Sequence, residues 1–257
     1  MLAPERREKI ISIVNQDGFI KINEIVNEFK ITPLTAWRDL KKLDELGLVR
    51  KVHGGAAKIT VNSVPEPTFE QRRYSAYKEK RAIAKYAAKN LVKDDDTIFL
   101  GPGSTLIHII TYLRQKNLTL ITSGLNAMMY AAKNAPHINL ISSGGILRYP
   151  AMAFEGEEAE NYFNSKNADI VFLSATGITK DGITDPHPWD AKLKRVMCKN
   201  AKKIVFLMDS SKFGKISMVE TTSLDEIDLL LTDSKITSKF RSELDTNGVI
   251  YKIIKNL

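Results

Sequence analysis

Cysteine is almost absent from this chain, since Cys198 is the only one among 257 residues. A single thiol cannot form a disulfide within the chain, and nothing in the sequence places a metal ligand beside it, so we expect a buried structural thiol. The four histidines, His53, His108, His137 and His187, are scattered and have no partner at a metal-ligand spacing. We therefore expect no metal site.

Long apolar runs are also missing. No stretch reaches the roughly 18 apolar residues that a membrane helix needs, and the N-terminus lacks the pattern of a signal peptide. No low-complexity linker is visible. These absences predict a cytoplasmic protein with no membrane segment. With 43% hydrophobic residues, the chain can form one domain of about sixty residues and one of nearly two hundred.

Positive charge is in excess, because 38 Lys and Arg outnumber 30 Asp and Glu and give a net charge of +8. Such a balance favours a polyanionic partner without establishing one. The segment from residue 19 to residue 56 supplies a motif for that partner. Apolar residues repeat there at helical spacing between Ile22 and Phe29, and Thr32 and Pro33 then supply the N-cap and first turn of a second helix.

The second helix and the segment after it predict a DNA-binding surface. Ala36, Leu40 and Leu43 share one face, and the opposite face is basic. After Gly47, residues 48–53 run extended into Gly54 and Gly55, where we expect positive φ in the tight turn of a β-wing. The alternative is a pair of amphipathic helices with solvated charges. The coincidence of cap, turn and wing favours DNA binding, with these candidate contacts: Thr32, Pro33, Leu34, Thr35, Trp37, Arg38, Lys41, Lys42, Lys51 and His53.

The wing is followed by Val64, Pro65, Glu66 and Pro67, where two prolines favour an extended connector. The sequence thus predicts a winged helix-turn-helix domain over residues 1–58, a linker over 59–74 and a larger domain over 75–257. Residues 74–91 carry an apolar stripe that predicts an amphipathic helix leading into the larger domain.

The larger domain has the pattern of an α/β protein with a mainly parallel sheet. Six short apolar runs alternate with helical stretches: TIFLG, LTLITS, INLISSGG, DIVFLSA, KIVFLMD and IDLLLTD. Parallel sheets bind ligands at the carboxyl ends of their strands. We therefore expect the ligand-binding residues in the loops that follow these runs.

The first of these loops, Gly-Pro-Gly-Ser-Thr at 101–105, follows a predicted strand and precedes a predicted helix over residues 106–113. Open backbone N–H groups, two hydroxyls and a helix N-terminus suit a phosphate dianion. The loop is neither a nucleotide P-loop nor a dinucleotide fingerprint, and a purely structural glycine turn is the alternative.

Three further strand ends could complete the pocket, with cations for phosphate and carboxylates for ligand hydroxyl groups. The alternative for each charged residue is a surface or structural ion pair. The glycines of residues 177–184 are expected to be architectural. The candidate ligand-binding residues are Gly101, Gly103, Ser104, Thr105, Thr122, Ser123, Gly144, Gly145, Arg148, Asp185, Asp209 and Lys212.

Six segments, in this order along nearly the whole chain, resemble the DeoR family of bacterial transcriptional regulators: ITPLTAWRDLKKLDELGLVRKVHGGA, FLGPGSTL, ISSGGILR, FEGEEAE, DIVFLSATGITKDGIT and MDSSKFG. The resemblance implies an N-terminal winged helix-turn-helix and a C-terminal sensor domain, related in fold to ribose-5-phosphate isomerase, that binds a phosphorylated sugar. The sequence departs from the family at Trp37, where a basic residue is usual, and at Gly101, where most relatives have aspartate.

We therefore expect a non-enzymatic repressor of a carbohydrate uptake or catabolic operon that binds double-stranded operator DNA. A sugar phosphate is its expected effector, no cofactor is expected, and a homodimer or homotetramer is the expected assembly.

Two alternatives remain. One is a sugar-phosphate isomerase or CoA-transferase-like enzyme joined to a DNA-binding module. Glu155, Glu157 and Asp169 are its candidate carboxylates, but they lack a catalytic pairing, and Ser142 and Ser143 stand where an isomerase would have a lysine before the Gly-Gly turn. The other is a regulator with a different effector, such as a nucleotide or a free sugar.

Overall fold

The computed structural model describes residues 1–59 and 67–255. The chain divides into two compact units, Met1–Tyr77 and Lys78–Leu257. The predicted extended connector around Val64, Pro65 and Glu66 lies outside the described residues.

The first unit is a winged helix. It contains, in chain order, α1 (Ala3–Asp17), β1 (Phe19–Lys21), α2 (Ile22–Phe29), α3 (Pro33–Glu45), β2 (Arg50–Val52) and β3 (Gly55–Ala57). The strands form one antiparallel sheet in the order β1-β3-β2. The predicted helix-turn-helix is α2 and α3, and the predicted wing is the hairpin of β2 and β3.

The core of this unit lies under α3. The apolar stripe predicted for this helix, Ala36, Leu40 and Leu43, is fully buried against Ile10 and Val14 of α1. Burying a large aliphatic side chain contributes about 1.5–3 kcal/mol. This packing fixes which face of α3 points outward.

The two wing glycines have different reasons for being glycine. Gly54 has φ +83°, as expected for the turn. The expectation of positive φ at Gly55 is wrong. A Cβ there would lie 2.0 Å from the carbonyl oxygen of Ile20, so Gly55 is needed for the close approach of β3 to β1.

The region between wing and sensor contains a short helix, α4 (Phe69–Tyr74), inside the predicted linker. Thr68 and Gln71 form a capping box at its start, and Ala76, at φ +50°, separates it from the next helix, α5 (Tyr77–Asn90). The single helix predicted over residues 74–91 therefore begins three residues later than expected.

After α5, the second unit contains β4 (Thr97–Leu100), α6 (Ile107–Ile110), β5 (Thr119–Thr122), α7 (Leu125–Asn134), β6 (Asn139–Ser142), β7 (Ile146–Arg148), β8 (Ala153–Glu155), α8 (Glu157–Asn164), β9 (Ile170–Leu173), β10 (Gly177–Thr179), β11 (Gly182–Asp185), α9 (Pro188–Lys199), β12 (Ile204–Leu207), β13 (Val219–Thr222), β14 (Leu229–Asp233), α10 (Ser238–Thr246) and β15 (Tyr251–Ile254). Short 3₁₀ turns occur at Ser210–Lys212 and Leu224–Glu226.

A seven-stranded parallel sheet forms the centre of this unit, in the order β15-β14-β12-β9-β4-β5-β6. The chain builds β4, β5 and β6 in one direction and then returns to place β9 on the other side of β4. The strand order therefore reverses between β4 and β9, and such a switch point opens a crevice at the carboxyl ends of the two strands.

The six predicted strands are β4, β5, β6, β9, β12 and β14, which confirms the parallel α/β prediction. The edge strand β15 was not predicted. The predicted turn at 177–184 is a hairpin of β10 and β11, paired further with β13. Gly177 is architectural, since a Cβ there would lie 2.2 Å from the carbonyl oxygen of Lys215. The hairpin of β7 and β8 was also not predicted.

Candidate functional site

Helix α3 begins where the sequence predicts. Thr32 is its N-cap, with Oγ1 accepting the N–H of Thr35 at 3.3 Å, and Pro33 stands in its first turn. Leu34, Arg38, Lys41 and Lys42 are exposed on the face opposite the core. The helix therefore presents three cations and one apolar side chain to solvent.

Trp37 lies on the flank of α3. Its ring is partly buried and packs against the core of the unit, and the Nζ of Lys51 in β2 lies 4.9 Å from the ring centroid. Lys51 is also anchored through its backbone, whose N–H donates to Oδ1 of Asp44 at 2.8 Å. Trp37 thus connects the outer helix to the wing, where exposed His53 stands in the turn.

The buried side of α3 carries an ionic cluster that the sequence analysis missed. Asp39 accepts hydrogen bonds from Nε of Arg6 at 2.6 Å and Nε of Arg7 at 2.7 Å. Arg7 also donates to Tyr74 Oη at 3.2 Å. Charged hydrogen bonds of this kind fix α3 against α1.

The Gly-Pro-Gly-Ser-Thr loop lies at the switch point, as a Cβ on Gly103 would be 3.8 Å from Cβ of Ser174 after β9. The helix after the loop, however, is only Ile107–Ile110 rather than the predicted 106–113. Its four residues are all buried, and several bonds around it are i to i−3, as in His108 N–H to Thr105 O. The predicted bounds of this helix are therefore wrong, and its four residues align few peptide dipoles toward an anion.

Lys80 of α5 is the main effector-site candidate that the sequence analysis missed. It is 1% exposed, and its Nζ lies 3.3 Å from Oγ of Ser104 and 4.0 Å from Oδ2 of Asp209. A buried ammonium requires anionic or hydrogen-bonding partners. Lys80 stands 24 residues before Ser104 on an ordinary amphipathic helix, so no local pattern could identify it.

The loop after β12 lies beside Lys80. Asp209 is fully buried, and its Oδ1 accepts the Ser211 N–H at 3.1 Å. Lys212, which is half-buried, stands in the same 3₁₀ turn. The structure therefore brings Ser104 and Asp209 together, with a buried cation between them.

The loop after β5 has two hydroxyls with different surroundings. Oγ1 of Thr122 donates to the Leu100 carbonyl at 2.7 Å and accepts the Gly124 N–H at 3.0 Å, so it holds β5 to β4 and is saturated. Ser123 is fully buried, and its Oγ has no hydrogen-bond partner within the described residues. Ser123 is therefore the stronger of these two candidates for ligand binding.

The glycines after β6 are architectural. Gly144 and Gly145 have φ +65° and +110°, and a Cβ on Gly145 would lie 2.6 Å from the carbonyl oxygen of Glu155. At Gly101, a Cβ would lie 2.7 Å from a methyl group of Leu173, so the aspartate usual in the family needs a shift of that side chain.

Arg148 and Asp185 are engaged in internal ion pairs. Arg148 Nε donates to Oε1 of Glu155 at 2.9 Å. Asp185 accepts from Lys194 Nζ at 2.7 Å and from the Thr221 hydroxyl at 2.8 Å. Burial raises the pKa of Asp185, and the nearby Lys194 opposes this shift. The geometry favours the structural alternative for both residues.

Cys198 is buried, as expected for a structural thiol. Burial raises the pKa of its thiol to about 12, so it stays protonated at neutral pH. Among residues 1–59 and 67–255, none of the helices combines the length and apolarity needed to cross a membrane.

A winged helix with an outward basic face, followed by a parallel α/β domain with polar groups at its switch point, is the architecture of a transcriptional regulator with its own sensor domain. Two family models match the chain, the DeoR-like helix-turn-helix domain over residues 6–61 and the DeoR C terminal sensor domain over residues 75–234. The protein belongs to the DeoR family, as the sequence resemblance indicates.

Curated relatives agree with this assignment. The HTH-type transcriptional regulator GolR of Listeria innocua is 36% identical over 97% of this chain and 98% of its own length. A lactose phosphotransferase system repressor of Staphylococcus epidermidis is 31% identical, covering 91% of this chain and 94% of that protein. The chain is thus a transcriptional regulator rather than an enzyme. Among solved structures, ribose 5-phosphate isomerase from Plasmodium falciparum matches 52% of each chain with 17% identity and a TM-score of 0.39.

Proposed function

We propose that this regulator represses a carbohydrate uptake or catabolic operon and is released from its operator by a phosphorylated sugar. The observation that carries the effector half is the position of Lys80, a buried cation beside Ser104 at the switch point of the sheet. The name of the lactose phosphotransferase system repressor supports a role in sugar metabolism.

The DNA half of the proposal assigns α3 to the major groove. Arg38, Lys41 and Lys42 are exposed on its outer face, where they can reach phosphates or base edges. Trp37 holds Lys51 near this face, so the wing contributes a cation to the same surface. Thr32, Pro33, Leu34, Thr35 and His53 complete the proposed interface.

In the effector half, Lys80, Ser104 and Thr105 bind the phosphate together with the backbone at Gly103, and the Ser123 hydroxyl donates from the neighbouring loop. Asp209 is unsuited to phosphate because two anions repel. Its Oδ2, which makes no hydrogen bond within the described residues, can instead accept one from a sugar hydroxyl. Lys212 stands at the entrance as a second cation.

Effector binding and operator binding are thermodynamically linked. An effector shifts the DNA-binding equilibrium only if it has different affinities for the DNA-bound and free states. We propose that the sugar phosphate favours the free state. We further propose that the protein acts as a homodimer, because helix-turn-helix proteins commonly bind two half-sites related by symmetry.

An operator can be obtained by selecting bound duplexes from a randomised pool. Thermal shift and operator-release assays would then compare hexose and pentose phosphates with the free sugars, nucleotides and inorganic phosphate. We expect a phosphorylated sugar to raise Tm and to release the operator, because a ligand that binds the native state stabilises it. Stabilisation by free sugars alone, or by nucleotides alone, would contradict the proposed effector class. Tighter operator binding in the presence of the sugar phosphate would contradict the proposed direction of control.

A further inference from the structure

A second group of polar side chains lies beside the switch point, formed by Glu155 of β8, His187 before α9 and Asp190 in the first turn of α9. Within the described residues, three of their atoms are buried and make no hydrogen bond: Glu155 Oε2, His187 Nδ1 and Asp190 Oδ1. Buried polar atoms are nearly always satisfied, so three in one cluster require an explanation.

The two carboxylates are held firmly by their other oxygens. Glu155 is fully buried, and its Oε1 accepts from Nε of Arg148 at 2.9 Å. Oδ2 of Asp190 accepts from Nζ of Lys194 at 3.0 Å. Each carboxylate therefore has a fixed orientation and one oxygen left over as an acceptor.

The cluster borders the proposed phosphate site on two sides. Next to Glu155 in β8, Phe154 donates its N–H to the carbonyl of Ser123, in the loop after β5. On the other side, Asp185, which shares Lys194 with Asp190, accepts the Thr176 N–H at 3.1 Å in the loop after β9. Both loops flank the Gly-Pro-Gly-Ser-Thr turn, so the elements that carry the cluster are bonded to both neighbours of that turn.

Two aromatic side chains at the edge of the cluster are exposed to solvent. The His187 side chain is 38% exposed, and Trp189 is 46% exposed, with its ring 5.7 Å from the imidazole in an edge-on arrangement. An indole face beside hydrogen-bonding groups suits a ligand with both C–H and O–H surface, because aromatic rings provide apolar contact area without excluding nearby polar contacts.

The chemistry of the cluster favours a ligand with neutral hydroxyl groups. The free carboxylate oxygens of Glu155 and Asp190 accept hydrogen bonds, so they offer no donor to a phosphate oxygen. A metal ion is not favoured, since no group of three His, Cys, Asp or Glu side chains within the described residues is placed to hold one. Hydroxyls, by contrast, donate to carboxylate oxygens and either donate to or accept from an imidazole.

We propose that Glu155, His187 and Asp190 form the subsite for the hydroxyl groups of the sugar, with Trp189 against its C–H face, while the phosphate binds at Lys80. This inference rests on the proposed sugar-phosphate effector and adds the orientation in which it binds. The competing explanation is internal, because Glu155 Oε2 and His187 Nδ1 are 3.5 Å apart and a small rotation would join them.

The test is isothermal titration of the full-length protein with inorganic phosphate, glucose 6-phosphate, fructose 6-phosphate and ribose 5-phosphate. The variants are His187→Ala and Asp190→Asn, with His137→Ala as the matched control at an exposed histidine. We expect the variants to bind the best sugar phosphate about tenfold more weakly, the effect of losing one charged hydrogen bond. Affinity for inorganic phosphate should stay unchanged, as should both affinities in His137→Ala.

Deoxy analogues separate a contact from a structural effect. Removing the hydroxyl that Asp190 binds should weaken binding to the wild type but not further weaken binding to Asp190→Asn, because the two changes remove the same interaction. Unchanged sugar-phosphate affinity in both variants, or equal loss for sugar phosphate and inorganic phosphate, would overturn the subsite and leave the proposed effector in place. A wild type that binds no sugar phosphate better than phosphate itself would overturn both.

Discussion

The cations proposed for ligand binding lie in opposite environments in the two units. Arg38, Lys41 and Lys42 of the winged helix are exposed, whereas Lys80 of the sensor unit is 1% exposed. Exposed cations keep their hydration and attract a polyanion in a salt-dependent manner, with little geometric demand. A buried cation has lost its hydration and needs a partner at a defined position. The first arrangement suits a long DNA surface, and the second suits one small anion.

Replacing Lys80 should have the largest effect on effector binding and on stability. Lys80→Met leaves Asp209 buried without its nearby cation, and breaking a buried pair costs about 3–5 kcal/mol. We expect a lower Tm and loss of stabilisation by the sugar phosphate, measured by differential scanning calorimetry. Lys78→Met, at an exposed lysine of the same helix, is the control and should behave as wild type. Equal sugar-phosphate stabilisation in Lys80→Met and wild type would exclude Lys80 from the effector site.

Placing a negative charge at the Gly-Pro-Gly-Ser-Thr turn is the next test. Gly103→Asp should weaken effector binding by on the order of 3 kcal/mol, since it puts a carboxylate against the phosphate. Gly103→Ala is the matched control, because its Cβ meets Leu106 at an ordinary 3.5 Å. Operator binding should persist in both variants, while release by the sugar phosphate fails only in Gly103→Asp. The variant Ser104→Ala with Thr105→Ala should show a smaller loss of the same kind.

The exposed cations should respond differently. Arg38→Ala should weaken operator binding by about 1–3 kcal/mol if Arg38 contacts a base. If it contacts phosphate, affinity should fall for all sequences, and the salt slope should decrease by about one charge. Mobility-shift titrations at several salt concentrations distinguish these outcomes. Lys89→Ala, at an exposed position of α5, is the control. Unchanged operator affinity in Arg38→Ala would exclude Arg38 from the proposed DNA contact.

The smallest expected effect concerns Trp37 and Lys51. If the indole positions the ammonium, a double-mutant cycle with Trp37→Leu and Lys51→Met should give a coupling of about 0.5–1 kcal/mol in operator binding. Trp37→Arg, which restores the basic residue usual in the family, should alter operator preference. A zero coupling energy, together with a lower Tm and unchanged preference in Trp37→Arg, would limit Trp37 to core packing.

Features that depend on local patterns are predicted from the sequence, whereas contacts between distant residues are not. The Thr32 cap, the buried stripe of α3 and the six apolar strands depend on local patterns, and the structure confirms them. Lys80 was missed because its partners follow 24 or more residues later and meet it only through the topology of the sheet. The helix after Gly103 was overestimated because a run of buried apolar residues does not distinguish a long helix from successive turns.

The ion pairs of the sensor unit show a similar limit. Arg148 and Asp185 were candidates for ligand binding because they follow strand ends, but their partners, Glu155 and Lys194, lie close by and already satisfy them. Sequence position predicts which edge of the sheet a residue occupies. Sequence position does not predict which charged side chain forms an ion pair with that residue.

Operator release by the same sugar phosphate in wild type and Lys80→Met, measured by fluorescence anisotropy on a labelled operator, is the most direct test of the proposed effector site. We expect both proteins to bind the operator equally well without effector, the sugar phosphate to release the wild type, and Lys80→Met to stay bound. Release of Lys80→Met at the concentration that releases the wild type would contradict the proposed effector site.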